Sequence, residues 1–370
     1  MTTAAAAPTV TPAEQAAMQR ALTLAATPGL DLGPNPRVGC VLLDPGGATL
    51  AEGFHRGAGS PHAEVVALTN ARHAHGDDAA RGATAVVTLE PCAHTGRTGP
   101  CADALRDAGV ARVVYAQADP NPTAAGGAGV LVAVGVDVVG GVGAEDAREL
   151  NRVWSTAVEL GRPVVTWKVA TTLDGRTAAV DGTSRWITSA AARRDVHRLR
   201  AEVDTVLVGT GTVLDDDPAL TVRDADGPQP LRAVMGRRDL PATSRLAAPG
   251  PDGVETCHLR THDPHEALAE LWRLDRRHVL LEGGGTLAAA FLRAGLVDEI
   301  VAYVAPALLG AGPPAVGDLG VTTIADAARF DLVDATVLEP TTDDLSTPDG
   351  PASGLAATNV RLTLRPRKES

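Results

Sequence analysis

Two runs of alternating strand and helix patterns are the feature that most constrains the fold of this chain. The second run begins at the apolar stretch RPVVTWKVA, after a polar, helical stretch from Glu145 to Gly161. Alternation of this kind predicts sheets covered by helices, which is α/β architecture. A length of 370 residues also exceeds the usual size of a single core. We therefore predict two α/β domains, over residues 1–150 and 151–370.

Local patterns predict individual elements. Thr11, Pro12 and Glu14 have the form of a capping box with proline at the first helical position, and they predict a helix that ends near Gly29. VGCVLL and ATLAEG flank turn residues and predict a hairpin, while TAVVTL and ARVVYA predict buried strands. In the second half, strands are predicted in DTVLVGTGTV, LRAVMG, RHVLLEGGGTL and DEIVAYVAP. The segment Glu339–Ser353 is rich in turn-forming residues and predicts a loop.

Composition excludes several classes of protein. The net charge of −12 is spread along the chain without a basic stripe, so long nucleic acid is not an expected partner. Neither an export signal nor an apolar stretch of membrane-spanning length is present, so a cytoplasmic location is expected. In a reducing cytosol, cysteines more often bind metal or react than pair. The four are Cys40, Cys92, Cys101 and Cys257, of which the first and last are expected to be packing residues.

Two stretches, HAEVVAL and LEPCAHTGRTGPC, predict a catalytic zinc site. His62, Cys92 and Cys101 can supply three ligands and leave the fourth tetrahedral position for water. Zinc lowers the pKa of such a water to about 7. Glu64 is the candidate that carries the proton from water to the departing amine. The pattern matches zinc nucleobase deaminases, although eight residues separate the two cysteines instead of two.

Other interpretations of these residues remain open. The histidine and glutamate can be a helix cap and a solvated charge, and the cysteines can be small buried hydrophobic residues. The zinc can also be purely structural, in which case His94 is the nearby candidate for a fourth ligand. The joint occurrence of HAE, of PC after a buried strand, and of a second cysteine opening a helix favours the catalytic site.

Further motifs extend from about Asn35 to Gly310, namely NPRVGCVL, GFHRGAGSPHAEVVAL, VTLEPCAHTGRTGPC, DPNP, LDGRTA, SRWIT and DDPALTVR. Together they resemble the bifunctional riboflavin-biosynthesis deaminase/reductase family, in which the long cysteine spacing is characteristic. The resemblance implies a cytidine-deaminase-like α/β/α domain followed by a dihydrofolate-reductase-like α/β domain. It implies hydrolysis of the 2-amino group of 2,5-diamino-6-ribosylamino-4(3H)-pyrimidinone 5′-phosphate, and then reduction of the ribose of the product to ribityl by NADPH.

The resemblance also assigns residues, motif by motif. His62, Cys92 and Cys101 would hold zinc with Glu64 as proton shuttle, and the pyrimidine and sugar phosphate would face Asn35, His55, His94 and Arg97. In the reductase, Lys168 and Asp174 would line the reducing site, Glu282 would face the sugar, and the ribosyl phosphate would be held by Ser184, Arg200, Leu220 and Arg223. The NADPH contacts would be Ala170, Trp186, Thr212, Asp216, Gly283, Gly284, Gly285, Thr286 and Leu287.

The expected cofactor site departs from a Rossmann site, because no Gly-x-Gly-x-x-Gly follows the first strand of the second half. Glycine-rich turns at Gly209–Val213 and Glu282–Leu287 can instead bring backbone amides against phosphates. Family members usually have aspartate after the strand at LRAVMG, whereas this chain continues with Gly236, Arg237 and Arg238. We predict that Arg237 reaches the 2′-phosphate of NADPH.

Three functions from different classes are therefore compared. The leading one is a bifunctional enzyme that uses Zn²⁺ and NADPH on a small phosphoribosylaminopyrimidine, without nucleic acid or membrane partners and as a homo-oligomer. The alternative is an active deaminase whose second domain is a scaffold that reduces nothing. The third is a zinc-stabilised binding module without catalysis, which the acidic charge and the placement of Glu64 beside the metal ligands disfavour.

Overall fold

The computed structural model describes residues 9–27, 32–95, 99–340 and 358–367. Within it the chain divides into two units, Met1–Gly161 and Arg162–Ser370. Each unit contains one sheet with helices on both faces.

The division falls at Gly161 and not at residue 150, so the helix Arg152–Leu160 belongs to the first unit. Two residues at the start of this helix explain why. The Asn151 amide donates a hydrogen bond to the backbone oxygen of Arg37, and the Trp154 indole donates one to that of Pro34. These bonds tie the helix to the segment that precedes the first strand.

The first unit contains a five-stranded mixed sheet. Along the chain, its elements are α1 Pro12–Ala25, β1 Gly39–Leu43, β2 Thr49–Phe54, α2 Ala63–His75, β3 Thr84–Leu89, α3 Cys101–Asp107, β4 Arg112–Gln117, α4 Gly127–Ala133, β5 Asp137–Gly140, α5 Ala144–Leu150 and α6 Arg152–Leu160. The strand order is β2-β1-β3-β4-β5. β1 is antiparallel to both neighbours, and β3, β4 and β5 are parallel.

Both faces of this sheet are buried, because successive side chains of a strand point to opposite faces. In β1, Cys40 and Leu42 pack with α2 and α3, whereas Val41 and Leu43 pack with α1 and α5. Alanine, valine and leucine dominate both core layers. The α/β/α layering predicted for the first domain is confirmed.

Most of the elements predicted in the first unit are present, with one difference in extent. The capping box of Thr11 and Glu14 forms as predicted. The helix ends at Ala25, before Gly29. The chain leaves the helix at Thr27, whose backbone N–H and hydroxyl both donate to the backbone oxygen of Leu24. Thr27 also precedes a proline in the sequence, and the residue before a proline is disfavoured in a helix. The hairpin of β1 and β2 has the predicted partners.

The second unit contains an eight-stranded sheet in the order β12-β13-β11-β6-β10-β7-β8-β9. Its elements are β6 Val164–Thr172, α7 Ala190–Glu202, β7 Thr205–Gly209, α8 Thr210–Asp216, β8 Leu231–Met235, β9 Cys257–Leu259, α9 Pro264–Arg273, β10 His278–Leu281, α10 Gly285–Arg293, β11 Glu299–Ala305, a 3₁₀ helix Ile324–Asp326, β12 Phe330–Leu338 and β13 Asn359–Pro366. The six strands from β11 to β9 are parallel, and β13 and β12 are antiparallel additions.

The parallel part of this sheet determines where a site can form. Trp167 and Leu207 pack with α9 and α10 on one face, and Val206, Val208 and Leu280 pack with the opposite layer. Because the carboxyl ends of parallel strands meet at one edge, residues that follow β6, β7, β8 and β10 are brought together there.

Two remaining predictions concern the chain end and membranes. The loop predicted over Glu339–Ser353 lies, apart from its first two residues, outside the described residues. Within the described part of the chain, no helix has both the length and the apolar character needed to cross a membrane.

Candidate active sites

The three predicted zinc ligands meet beside the carboxyl end of β3. His62 immediately precedes α2, Cys92 lies in the loop after β3, and Cys101 is the first residue of α3. The Nδ1 atom of His62 lies 3.1 Å from Sγ of Cys101 and 3.7 Å from Sγ of Cys92, and all three ligand atoms lie within 4.8 Å of one another. Tetrahedral zinc needs N···S separations of about 3.6 Å, so this donor set fits zinc.

The environment of Cys92 favours its thiolate. The backbone N–H of Cys101 donates to its sulfur over 3.4 Å. Hydrogen bonding with the Cys101 side chain and with His62 lowers the pKa of Cys92 to about 4, against the opposing effect of burial. The thiolate is the form of cysteine that binds a metal, so the protein itself prepares this ligand.

Glu64 lies in the first turn of α2, and it is 4% exposed. Burial raises the pKa of its carboxyl group. The charge of His62 lowers this pKa, and the charge of Cys92 raises it. His94 is not part of the three-residue donor set in the described residues. Its Nδ1 atom is buried without a hydrogen-bond partner there. The geometry therefore leaves a fourth metal position open, beside a buried acid.

Two of the predicted substrate residues are joined by a hydrogen bond. The Nδ2 atom of Asn35 lies 2.9 Å from Nε2 of His55, and Nδ1 of His55 lies 3.1 Å from the backbone oxygen of Pro61. Because the Pro61 oxygen can only accept and the Asn35 nitrogen can only donate, Nδ1 of His55 donates and its Nε2 accepts. Burial also lowers the pKa of His55. The His55 ring meets that of His62 edge-on at 5.5 Å. Arg97 lies outside the described residues.

Glu90 holds the loop that carries Cys92, and the sequence patterns did not identify it. Its carboxylate accepts backbone N–H groups from Asp119, Gly126 and Ala128. Gly127 must be glycine at this point, because a Cβ there would lie 1.8 Å from the backbone oxygen of Pro91. A glutamate between a buried strand and Pro-Cys is the signal that would have indicated this role.

An ion cluster forms at the carboxyl edge of the second sheet. Glu282, directly after β10, accepts from Nε and Nη2 of Arg200 at 2.6 and 3.0 Å, and its Oε2 lies 3.2 Å from Nζ of Lys168. Burial opposes ionisation of this carboxyl, but Arg200 and Lys168 more than offset it and hold the pKa of Glu282 well below its usual range. The cluster thus brings together three of the predicted substrate residues, from β6, α7 and the end of β10.

Arg223 lies close to this cluster but is held weakly. Its guanidinium contacts are 3.4 Å to the Thr221 hydroxyl and 3.4 Å to Nε2 of His197, and the residue is exposed. Burial, and then the charges of Arg200 and Arg223, lower the pKa of His197. Arg200, in contrast, directs its third nitrogen at the backbone oxygen of Thr221 over 3.1 Å. The arginine with donors available for an incoming anion is therefore Arg223.

The other predicted residues of the reducing site have different surroundings. Leu220 is 2% exposed, and its backbone has a left-handed φ of 54°, so the chain changes direction at this residue. Ser184 is half-buried in the loop before α7. Asp174 does not project freely, because its carboxylate accepts from the Thr172 hydroxyl and from two backbone N–H groups of the loop at Leu309 and Gly310. Those contacts lower the pKa of Asp174 to about 2.

The predicted cofactor residues surround two adjacent turns. β7 and β10 are parallel neighbours, and Gly209 and Gly284 precede the helices that follow them. A Cβ on Gly209 would lie 3.7 Å from Leu287, so the turns are in contact, whereas one on Gly284 would meet nothing within 4 Å. This open backbone at a helix start fits a phosphate of NADPH. Gly283 lies between β10 and α10, the first three residues of α10 are Gly285, Thr286 and Leu287, and Thr212 and Asp216 lie in α8.

Two further predicted cofactor residues lie elsewhere in the second unit. Ala170 is paired with Tyr303 in the sheet. Trp186 is 43% exposed, and the guanidinium of Arg193 lies 4.3 Å from its ring centre. An exposed indole ring of this kind can pack against a planar ligand.

Two exposed arginines follow β8. Gly236 has a φ of 140°, and a Cβ there would lie 2.8 Å from the Thr210 side chain, so the strand end passes directly against the start of α8. The Nη2 atom of Arg238 lies 3.8 Å from the position that a Cβ on Gly211 would take. The backbone oxygen of Arg237 accepts a hydrogen bond from Arg260 over 3.4 Å. Arg238 is thus the side chain seen near α8.

Comparison with protein families agrees with this two-site arrangement. The family model described as the cytidine and deoxycytidylate deaminase zinc-binding region matches residues 11–117, and the RibD C-terminal domain model matches residues 163–342. Fold and sites therefore define a two-domain protein with a zinc-dependent deaminase domain and a reductase domain.

Whole-chain relatives identify the family. Riboflavin biosynthesis protein RibD of Mycobacterium tuberculosis strain H37Rv is 54% identical over 308 residues, which is 81% of this chain and 88% of that protein. The Escherichia coli K12 protein of the same name is 41% identical over 348 residues, 85% of this chain and 93% of that one. The chain belongs to the RibD family of riboflavin biosynthesis proteins.

Solved structures cover nearly the whole chain. Acinetobacter baumannii RibD, form 2, has a TM-score of 0.82 at 38% identity and covers 96% of this chain and 99% of its own. A Thermotoga maritima structure, described as a diaminohydroxyphosphoribosylaminopyrimidine deaminase/5-amino-6-(5-phosphoribosylamino)uracil reductase, has a TM-score of 0.79 at 32% identity with the same coverages. The chain is thus a bifunctional riboflavin-biosynthesis enzyme with deaminase and reductase activities, whose cofactors are Zn²⁺ and NADPH.

Proposed function

We propose that the first domain hydrolyses the 2-amino group of 2,5-diamino-6-ribosylamino-4(3H)-pyrimidinone 5′-phosphate, and that the second domain reduces the ribosyl group of the product to ribityl. The observation that carries the deaminase proposal is the three-residue donor set of His62, Cys92 and Cys101 beside the buried Glu64. Zinc in such a site supplies hydroxide at neutral pH by lowering the pKa of a bound water to about 7. The product of the first step is the substrate of the second.

In the deaminase, Glu64 takes the proton from water and delivers it to the departing amine. Its burial supports this role, because a raised pKa suits a group that must both accept and release a proton near neutral pH. Asn35 presents its Oδ1 atom to an N–H of the pyrimidine, since its Nδ2 atom is used by His55. The unpaired Nδ1 of His94 offers a further polar contact, and Arg97 binds the sugar phosphate.

In the reductase, Lys168, Arg200 and Glu282 orient the ribose. Glu282 accepts the ribose hydroxyls while its two cationic neighbours keep it ionised. Arg223 binds the 5′-phosphate, because its guanidinium is exposed and weakly held. Ser184 and the backbone at Leu220 complete that phosphate site.

The turns after β7 and β10 would hold NADPH, which would supply the hydride. The proposed contacts are Ala170, Trp186, Thr212, Asp216 and Gly283–Leu287. For the 2′-phosphate we retain Arg237 as first proposed, and the position of Arg238 near α8 makes it the second candidate. Binding constants of NADP⁺ and NAD⁺ for Arg237→Ala and Arg238→Ala would assign the role. The responsible variant loses its preference for NADP⁺, and two unchanged preferences would contradict both candidates.

One experiment tests the two activities together. The full-length, zinc-loaded protein is given the diaminopyrimidinone phosphate and NADPH, and ammonia release and NADPH absorbance are followed in the same sample. We expect both signals to change. Ammonia without NADPH oxidation would support the alternative of an active deaminase with a scaffold second domain. Neither signal, from a protein that contains zinc, would contradict the proposed function.

The proposal includes a cytoplasmic enzyme that acts on a small molecule, needs neither nucleic acid nor membrane, and forms a homo-oligomer. Four cysteines without a disulfide suit a reducing compartment, and the net charge of −12 opposes binding to a phosphate backbone. Light scattering of the purified protein tests the oligomer, and a monomer mass would contradict it.

A further inference from the structure

Asn35 is carried to the deaminase site by a segment with no regular secondary structure. Residues 34–38 precede β1 and belong to no strand. Pro34 and Pro36 have no backbone N–H to donate. Two main-chain hydrogen bonds of this segment run from Asn35 N–H to Leu32, at 3.2 Å, and from His55 N–H to Val38, at 2.9 Å. The two prolines limit what the backbone itself can contribute to holding the segment.

The side chain of Asn151 binds both backbone groups of Arg37. Its Oδ1 atom accepts the N–H of Arg37 at 2.7 Å, and its Nδ2 atom donates to the oxygen of the same residue at 2.8 Å. Both bonds of a strand pairing are thus made by one side chain, which is 3% exposed. One helical turn further on, Trp154 donates its indole N–H to the oxygen of Pro34 at 3.0 Å. The segment is anchored on both sides of Asn35.

The anchored backbone determines which way the Asn35 amide points. Its Nδ2 atom is committed to His55, whose other nitrogen is committed to Pro61. Only Oδ1 of Asn35 then remains to accept a hydrogen bond from substrate. If the segment shifted by a fraction of an ångström, this contact would lengthen while the zinc ligands, which lie on other elements, would stay in place.

We propose that Asn151 is a positioning residue of the deaminase, which acts through Arg37 and Asn35 on substrate binding without touching substrate or metal. The inference rests on the proposed role of Asn35 as a substrate contact. It also gives a physical reason why α6 belongs to the first unit: this helix completes the binding site for the pyrimidine.

The test uses the full-length, zinc-loaded protein and ammonia release from the diaminopyrimidinone phosphate. We expect Asn151→Ala to raise KM about ten-fold, since the anchor loses both hydrogen bonds, and to change kcat much less. Zinc content, and NADPH oxidation with the deaminated substrate, should equal those of the unmodified protein. Trp154→Phe, which removes the N–H to Pro34 together with the five-membered ring of the indole but keeps an aromatic side chain, should raise KM by a smaller factor. A merely structural role would lower the zinc-loaded fraction and kcat together.

A double-mutant cycle separates this inference from the proposed function. If Asn151 acts through Asn35, adding Asn151→Ala to Asn35→Ala raises KM no further; fully additive effects would overturn the inference. An unchanged KM in Asn151→Ala would also overturn it. An unchanged KM in Asn35→Ala alone would instead contradict the proposed role of Asn35. Should Asn151→Ala not fold, Asn151→Asp keeps the volume and the acceptor but loses the donor, and it takes the same place in the cycle.

Discussion

The deaminase site and the reductase site differ in how their functional groups are held. In the first, three metal-binding atoms lie within 4.8 Å of one another and come from two short stretches of sequence. In the second, the charges of Lys168, Arg200 and Glu282 compensate one another, and each residue comes from a different element. A metal site concentrates its chemistry in a few local residues, whereas an ion cluster distributes it over the fold.

This difference has an energetic consequence. Removing a zinc ligand removes the bound metal and its chemistry, and the remaining ligands can take up protons when the metal leaves. Removing one member of the ion cluster leaves buried charges without partners, which is strongly destabilising. Substitutions at the first site should therefore affect activity, and those at the second should affect both activity and stability.

The largest effect is expected for Cys101→Ala. Loss of a thiolate ligand should abolish zinc binding and reduce ammonia release by more than about 10⁴-fold, since most of the rate enhancement of an enzyme of this kind depends on its metal. Cys40→Ala is the matched control, because Cys40 is equally buried but lies outside the ligand set. Metal analysis and ammonia release are the measurements. Zinc retained at full occupancy in Cys101→Ala would contradict the assignment of Cys101 as a zinc ligand.

Glu64→Gln tests whether the acid can be separated from the metal. We expect ammonia release to fall by about 10²- to 10⁴-fold, the usual contribution of a general acid–base group, while zinc content and the unfolding midpoint change little. The same preparation should oxidise NADPH normally with the deaminated substrate. If loss of zinc accompanied the loss of activity, Glu64 would be a structural residue of the site.

Glu282→Gln tests the charge compensation of the second site. The substitution leaves Arg200 and Lys168 without a carboxylate, and their side chains are only 12% and 18% exposed. We expect a loss of about 3 kcal/mol in the free energy of unfolding. Asp239→Asn, which breaks the exposed pair with Arg260, should cost less than about 1 kcal/mol. Equal urea midpoints for the two variants would contradict the prediction that the buried ion cluster contributes more to stability than an exposed ion pair.

The carboxyl group of Glu282 also predicts a pH dependence of the free energy of unfolding. Its pKa in the folded protein is lowered from an ordinary value of 4.5, so below that pH the unfolded chain binds the extra proton before the folded one does. The stabilisation is complete above pH 4.5 and is lost as pH falls towards the lower folded value. The stability difference between the unmodified protein and Glu282→Gln should therefore shrink in acid. A constant difference between pH 7 and pH 3 would contradict the assignment.

The smallest effect is expected for Arg223→Gln. Because this guanidinium is exposed and makes only 3.4 Å contacts, its loss should not alter the unfolding midpoint. We expect KM for the reductase substrate to rise about ten-fold, as for one charge-assisted contact with a phosphate. Arg200→Gln should raise KM and also lower stability, since the buried Glu282 loses the closer of its two cationic partners and keeps only the pair with Lys168 within this cluster. Identical behaviour of the two variants would show that both arginines play one role.

Prediction from sequence succeeded where the determinants are local. The capping box of Thr11 and Glu14 lies within one turn, and the α/β/α layering follows from apolar strands with helices between them. The helix end at Ala25 depends on hydrogen bonds of Thr27 that no periodicity indicates. β9 has three residues and was not predicted, because so short a strand forms only when a neighbouring strand is already in place.

Within the sites, local motifs predicted Glu64 and the three residues that the structure brings together as a donor set, because metal chemistry needs particular residue types at short spacing. The reductase residues came from the family resemblance and not from physical patterns. The pairing of Arg200 with Glu282 joins positions 82 residues apart. Asp174 was expected to line the reducing site, yet its carboxylate holds the backbone of a distant loop. Tertiary contacts therefore determine which charged side chains form pairs.

Local sequence features therefore predicted the α/β class of both halves, three residues that lie together as a metal donor set, and the family with its two activities, because these depend on local periodicity and on residue types at short spacing. Tertiary contacts place α6 in the first unit, anchor the segment of Asn35 on Asn151, and bring Glu282 into ion pairs with both Lys168 and Arg200. Each of these is a contact between residues distant in the chain, and such contacts exist only after the sheets have assembled.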